Sequence, residues 1–148
     1  MKLVLIVEDE YGNAEILQLL LEAEGYRVAV ATNGKQALEI LRNGEKPSLV
    51  LSDFMMPVMN GGELGIAVRQ DPALGQIPFI FMSGTSEDVV RRAFDDYDAL
   101  LAKPYELDTL LALVKRLATE GRSPGPASDR VEESMRQLLK GIRVPPGD

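Results

Sequence analysis

Leu49-Val50-Leu51-Ser52-Asp53-Phe54-Met55-Met56-Pro57 is the stretch on which the reading of this chain turns. A short apolar run carries one aspartate to the end of an expected buried strand over residues 48–53. Pro57 and Asn60-Gly61-Gly62 then force an irregular loop. Apolar strands without polar alternation are what a parallel sheet covered on both faces requires, and ligands of such sheets collect outside the carboxyl ends of the strands. Asp53 is therefore expected on a loop rim, not in the core. Alone, it reads equally well as a solvated surface carboxylate.

Working outward, four more apolar runs read as strands: residues 3–7, 26–31, 78–82 and 99–102. Between and after them the spacing turns helical. Ile16, Leu17, Leu20 and Leu21 share one face of a helix over 10–24 that Gly25 stops. Asn33, with Gln36 three positions on, starts a helix that Asn43-Gly44 ends. Shorter helices are expected over 63–70 and 86–95, and a last one over 106–119. Strands alternating with helices predict an α/β fold, a doubly wound five-stranded parallel sheet with right-handed crossovers.

The 148 residues allow one domain of about 120 residues and a remainder. Residues 121–128 are rich in Gly, Pro and Ser and read as a linker. In 129–142, Val131, Met135, Leu138 and Ile142 recur at helical steps, which predicts an amphipathic C-terminal helical extension; 143–148 reads as a tail. Such a helix is too short to be stable alone and needs a surface on its own domain, a second copy or a partner.

The formal charge is -7, with 11 Lys/Arg against 19 Asp/Glu in residues 1–120 and 5 against 4 beyond. An acidic body repels phosphate backbones, which argues against nucleic acid as a direct partner. With no cysteine, disulfides and thiolate chemistry are excluded, which fits a cytoplasmic location. No apolar run is long enough for a membrane span. With no histidine, any phosphohistidine must come from a partner.

The strand ends carry the chemistry. Glu8 and Asp9 follow the first strand, Asp53 ends the third, Ser83 follows the fourth and Lys103 the fifth. Each pair of carboxylates at about 4 Å costs about 4 kcal/mol at an effective dielectric near 20, a penalty that a divalent cation removes. All-oxygen ligation suits Mg²⁺, which often shares its coordination with phosphate. Ser83 and Lys103 are then placed to hold two oxygens of a phosphoryl group delivered onto Asp53.

With Glu8-Asp9, Asp53 to Pro57 followed by Asn60-Gly61, Ser83-Gly84 and Lys103-Pro104-Tyr105, the chain resembles a response-regulator receiver domain of two-component signalling over roughly residues 1–120. The resemblance implies a flavodoxin-like strand order 2-1-3-4-5, with Asp53 as phosphoacceptor. It makes Asp9 a direct Mg²⁺ ligand, has Glu8 help hold the metal through water and has the Met55 backbone carbonyl complete the set. Ser83 and Lys103 would contact phosphoryl oxygens, and Lys103-Pro104 would be cis. A histidine kinase or phosphotransfer protein would be the donor, docking in part on Glu8-Asp9 and the first helix, with a downstream protein as target. A homodimer through the C-terminal helix or the 86–119 face is a further partnership for which the sequence leaves room. The protein would catalyse its own aspartyl phosphorylation and dephosphorylation without a separate substrate.

One position departs from the family. Where relatives commonly carry Tyr or Phe three residues before the lysine, this chain has Leu100, which predicts a weaker link between the phosphoacceptor rim and the face formed by 86–105. Two alternatives stay open. The chain could be a receiver from a hybrid kinase or longer regulator, or a small flavodoxin-like enzyme or cofactor-binding domain. Glu8-Asp9-Glu10-Tyr11-Gly12 in place of a Gly-rich fingerprint weighs against the latter.

Overall fold

The computed structural model describes residues 1–122. Five strands, β1 (Leu3–Val7), β2 (Arg27–Ala31), β3 (Leu49–Asp53), β4 (Phe79–Ser83) and β5 (Ala99–Ala102), alternate with five helices. These are α1 (Tyr11–Ala23), α2 (Gly34–Asn43), α3 (Gly61–Gln70), α4 (Glu87–Ala93) and α5 (Leu107–Glu120). All neighbouring strands pair in parallel, in the order β2-β1-β3-β4-β5, as the resemblance implied. The expected helix over 129–142 lies outside the described residues.

Successive strand residues point to opposite faces, so an unbroken apolar run feeds two cores. Leu5, Val7, Val50, Phe79 and Phe81 join α2, α3 and α4 on one face. Val4, Ile6, Leu49, Leu51, Ile80 and Met82 join α1 and α5 on the other. The chain leaves β1 for β2 on one side and returns past β1 to β3 on the other, so the strand order reverses between β1 and β3. Crevices at such reversals are where doubly wound sheets bind ligands. Glu8 follows β1 and Asp53 closes β3, with Val7 opposite Ser52 in the register.

Local chemistry sets the helix limits. Gly25 adopts φ 95° after α1, and the Asn33 side chain accepts the Gln36 N–H at the start of α2, as the sequence predicts. α3 starts two residues before the expected Glu63, because Asn60 and Glu63 form a reciprocal capping box. α4 ends at Ala93, two residues short of expectation. Phe94 leaves the helix with an extended backbone and buries its ring beside Phe79 and Phe81.

Candidate functional site

β1 and β3 lie side by side, so their ends bring the carboxylates of Glu8, Asp9 and Asp53 within 4.8 Å of one another. Lys103, directly after β5, reaches in with Nζ 3.2 Å from Asp53 Oδ2 and 3.9 Å from Glu8 Oε1. The Lys103-Pro104 bond is cis, as implied, and the Lys103 N–H donates to the Ser83 carbonyl. Three acids thus face one lysine, and among the described residues this is the cluster whose spacing fits a metal ion.

Burial is deeper than the sequence reading held. Asp53 stands at the rim but is only 8% exposed, and Glu8 is buried, whereas Asp9 is exposed. The reason is local. Glu8 is held inward where its backbone N–H donates to Ala31 and its carboxylate accepts the Glu10 N–H. Burial pushes the Glu8 carboxyl up to about 7. The Glu10 N–H opposes this, the Asp53 charge adds to it, and Lys103 offsets part of it.

Ser83 is brought to the same end of the sheet, where its hydroxyl is engaged by Thr85. Its hydroxyl accepts the Thr85 N–H at 2.9 Å and donates to the Thr85 carbonyl at 3.2 Å. Met55 lies two residues past Asp53 in the β3–α3 loop and is largely exposed. That loop is tightly constrained. Gly61 donates to the Phe54 carbonyl, and a Cβ there would stand 2.7 Å from the Asp53 carbonyl oxygen. Val58 takes φ 70°, an uncommon conformation for a β-branched residue, while Met59 N–H closes a three-residue turn onto Pro57.

Two features escaped the sequence reading. Tyr97 is fully buried against Phe81 and donates its hydroxyl to Glu87 on α4, while Arg91 donates to that hydroxyl. Leu100 packs half-buried at the same core. At the opposite end of the sheet Asp98 is 1% exposed and accepts from the Phe79 N–H, Arg69 and Arg122. Arg122, the second residue of the expected linker, also pairs with Asp96.

A sequence model of the response regulator receiver domain matches residues 4–115. The chain belongs to the response regulator receiver family. It is 32% identical over 146 residues to response regulator Rre1 of a Synechocystis strain, covering 95% of this chain and 62% of that protein. It is 33% identical over 114 residues to the DNA-binding response regulator MtrA of Mycobacterium tuberculosis, covering 76% of this chain and 48% of that protein. The chain thus spans about half to three fifths of these relatives. Among solved structures, the signal receiver domain of a histidine kinase from Syntrophus aciditrophicus superposes with a TM-score of 0.75 at 34% identity, over 86% of this chain and 99% of that one. TrrA from Thermotoga maritima, solved with Mg²⁺ and BeF, gives a TM-score of 0.69 at 31% identity, over 79% and 99%. The receiver fold therefore holds for this chain. No helix among the described residues is long and apolar enough to cross a membrane.

Proposed function

We propose that this receiver domain is a phosphoacceptor of a two-component relay, with Asp53 taking the phosphoryl group of a histidine kinase or phosphotransfer protein in the cytoplasm. The observation that carries the reading is the imbalance at the rim, where three carboxylates within 4.8 Å share one lysine. A divalent cation suits the oxygen donor set. Asp9 and Asp53 would hold it directly, with Glu8 through water and the Met55 carbonyl completing the set, and bound Mg²⁺ would neutralise charge on the phosphoryl oxygens. The Mg²⁺ in the TrrA structure supports this fit.

The chemistry asks little more of the chain. An Asp53 carboxylate oxygen attacks the donor phosphorus in line, the O–P bond forms as the N–P bond breaks, and the imidazole leaves with the electron pair. No general base is required, because the nucleophile is already an anion. Lys103 can move from Asp53 to a phosphoryl oxygen with little displacement, since Nζ already lies 3.2 Å from Oδ2. Ser83 must first give up its hydrogen bonds to Thr85 to contribute its hydroxyl.

Output would go to a downstream protein, through surfaces of this domain or through whatever follows it in a longer regulator. The acidic body argues against direct DNA contact by residues 1–122, whatever the DNA-binding relatives do through their remaining length. Incubation with Mg²⁺ and a small phosphodonor tests the proposal. One alkali-labile, acid-stable phosphoryl group should form and be lost in a folded Asp53→Ala variant, while Asp9→Ala should weaken Mg²⁺ binding. Undiminished labelling of Asp53→Ala would refute the assignment.

A further inference from the structure

The turn between β2 and α2 carries none of the residues assigned to the phosphoacceptor rim, yet it is bonded to the rim on two sides. Just before it, the Ala31 carbonyl accepts the Glu8 N–H at 3.0 Å; just after it, the Gly34 N–H donates to the Met59 carbonyl at 3.1 Å. The turn itself is well braced. Asn33 caps α2 by accepting the Gln36 N–H at 2.8 Å, and the Gln36 side chain accepts from both the N–H and the hydroxyl of Thr32.

Gly34 is the first residue of α2, a place where alanine would favour the helix more. Backbone conformation does not call for glycine there, since the positive-φ glycines among the described residues are Gly25 and Gly121. Close approach does. A Cβ at position 34 would stand 2.6 Å from the Met59 carbonyl oxygen and 2.7 Å from Met59 Cγ, so one side of the contact would have to shift. The helix is fixed by its cap and by Ala37, Leu38 and Leu41 in the core. The β3–α3 loop is the softer side, with Met55 and Val58 largely exposed and Val58 at φ 70°.

We propose that Gly34 is a positioning residue for the cation site, setting through Met59 where the β3–α3 loop presents the Met55 carbonyl; the inference rests on the phosphoacceptor reading above. Two glycines then hold this loop. Gly61 fixes its far end by donating to the Phe54 carbonyl at 2.8 Å, and Gly34 fixes it at Met59, four residues beyond Met55. Mg²⁺ demands near-octahedral geometry, so a small displacement of one carbonyl ligand weakens binding. A residue that touches no ligand can therefore set the affinity. Through Ala31 the same turn also holds Glu8, so one braced segment spaces the β1 and β3 sides of the acidic cluster.

The test compares the full-length wild type with Gly34→Ala and with Leu41→Ala, which opens a cavity under α2 without touching Met59. In the metal-free state, Gly34→Ala should shift the amide signals of Met55, Met56 and Met59. Its half-saturating Mg²⁺ concentration should rise about tenfold or more, while labelling by a small phosphodonor recovers at saturating Mg²⁺ because Asp53 and Lys103 are untouched. Leu41→Ala should lose stability and keep wild-type Mg²⁺ affinity. Coupling of this kind is reciprocal, so in the wild type Mg²⁺ should slow exchange of the Gly34 amide, a reading that needs no variant to fold. Wild-type Mg²⁺ affinity in Gly34→Ala, an equal loss of affinity in Leu41→Ala, or Gly34 exchange indifferent to Mg²⁺ would each overturn the role of Gly34 alone. A wild type without saturable Mg²⁺ binding would instead overturn the phosphoacceptor reading, and this inference with it.

Discussion

The two ends of the sheet hold comparable numbers of carboxylates and treat them in opposite ways. At the foot, Asp98 is buried but satisfied on both oxygens by Arg69, Arg122 and the Phe79 N–H, while Asp96 pairs with the same two arginines. At the rim, Glu8, Asp9 and Asp53 converge on one lysine that is itself a third exposed. Burial and acid density alone therefore do not mark a functional site. What separates the two is compensation: the foot cluster is fully paired, and the under-paired rim is where the proposed function places a cation and a phosphoryl group.

The largest expected effect lies at the foot. Asp98→Ala leaves two guanidinium groups short of a partner and the buried Phe79 N–H unsatisfied, and should cost about 3–5 kcal/mol in chemical denaturation. Mg²⁺ affinity of the remaining folded protein should not change. A loss of metal affinity equal to that of Asp9→Ala would break the division between the two ends.

The rim should answer in the opposite direction. Glu8 has a folded pKa of about 7, above its ordinary value of 4.5, so between those pH values the folded state holds more protons than the unfolded one. Stability of the metal-free protein should therefore fall as pH rises through that window, by up to about 3 kcal/mol from this group. Glu8→Gln should remove that share of the fall, leaving the variant more stable than wild type at pH 8 without Mg²⁺ and less responsive to added Mg²⁺. Parallel stability curves for the two proteins from pH 4.5 to 8 would show that Glu8 is compensated after all.

Smaller effects sharpen the contrast on the flanks of the rim. Tyr97→Phe keeps the ring against Phe81 but removes the hydroxyl's hydrogen bonds to Glu87 and Arg91, which still pair with each other, and should cost about 1 kcal/mol while raising amide exchange in α4. Unchanged α4 exchange would mean that ring packing alone holds the helix. Val58→Gly relieves a positive φ and should stabilise by up to about 1 kcal/mol, offset in part by added unfolded-state freedom. Destabilisation in a thermal melt would mean that the exposed Val58 side chain contributes contacts worth more than the strain.

This asymmetry also explains what could be read from the sequence. Glu8, Asp53, Ser83 and Lys103 each interrupt or follow an apolar run, so strand ends alone locate them, and the sheet order then brings them to one rim. The foot has no such signal. Arg69 and Arg122 reach Asp98 from 29 and 24 residues away, and nothing local distinguishes them from solvated charges. The Asn60-to-Glu63 spacing was a readable capping signal for the earlier start of α3. The inward turn of Glu8 was not readable, because it depends on backbone contacts with Ala31 and Glu10 made only after β1 and β2 pair. The Ser83 hydroxyl is engaged by the Thr85 backbone two residues on, a local turn that the apolar pattern of β4 does not signal.

A Mg²⁺ titration followed by amide chemical shifts tests the contrast most directly, because it reads both ends of the sheet in one sample. Saturable shifts at Glu8, Asp9, Asp53, Phe54 and Met55, with Arg69, Asp96, Asp98 and Arg122 unmoved, are the predicted result. Equal shifts at the two ends, or none at the rim, would contradict the account.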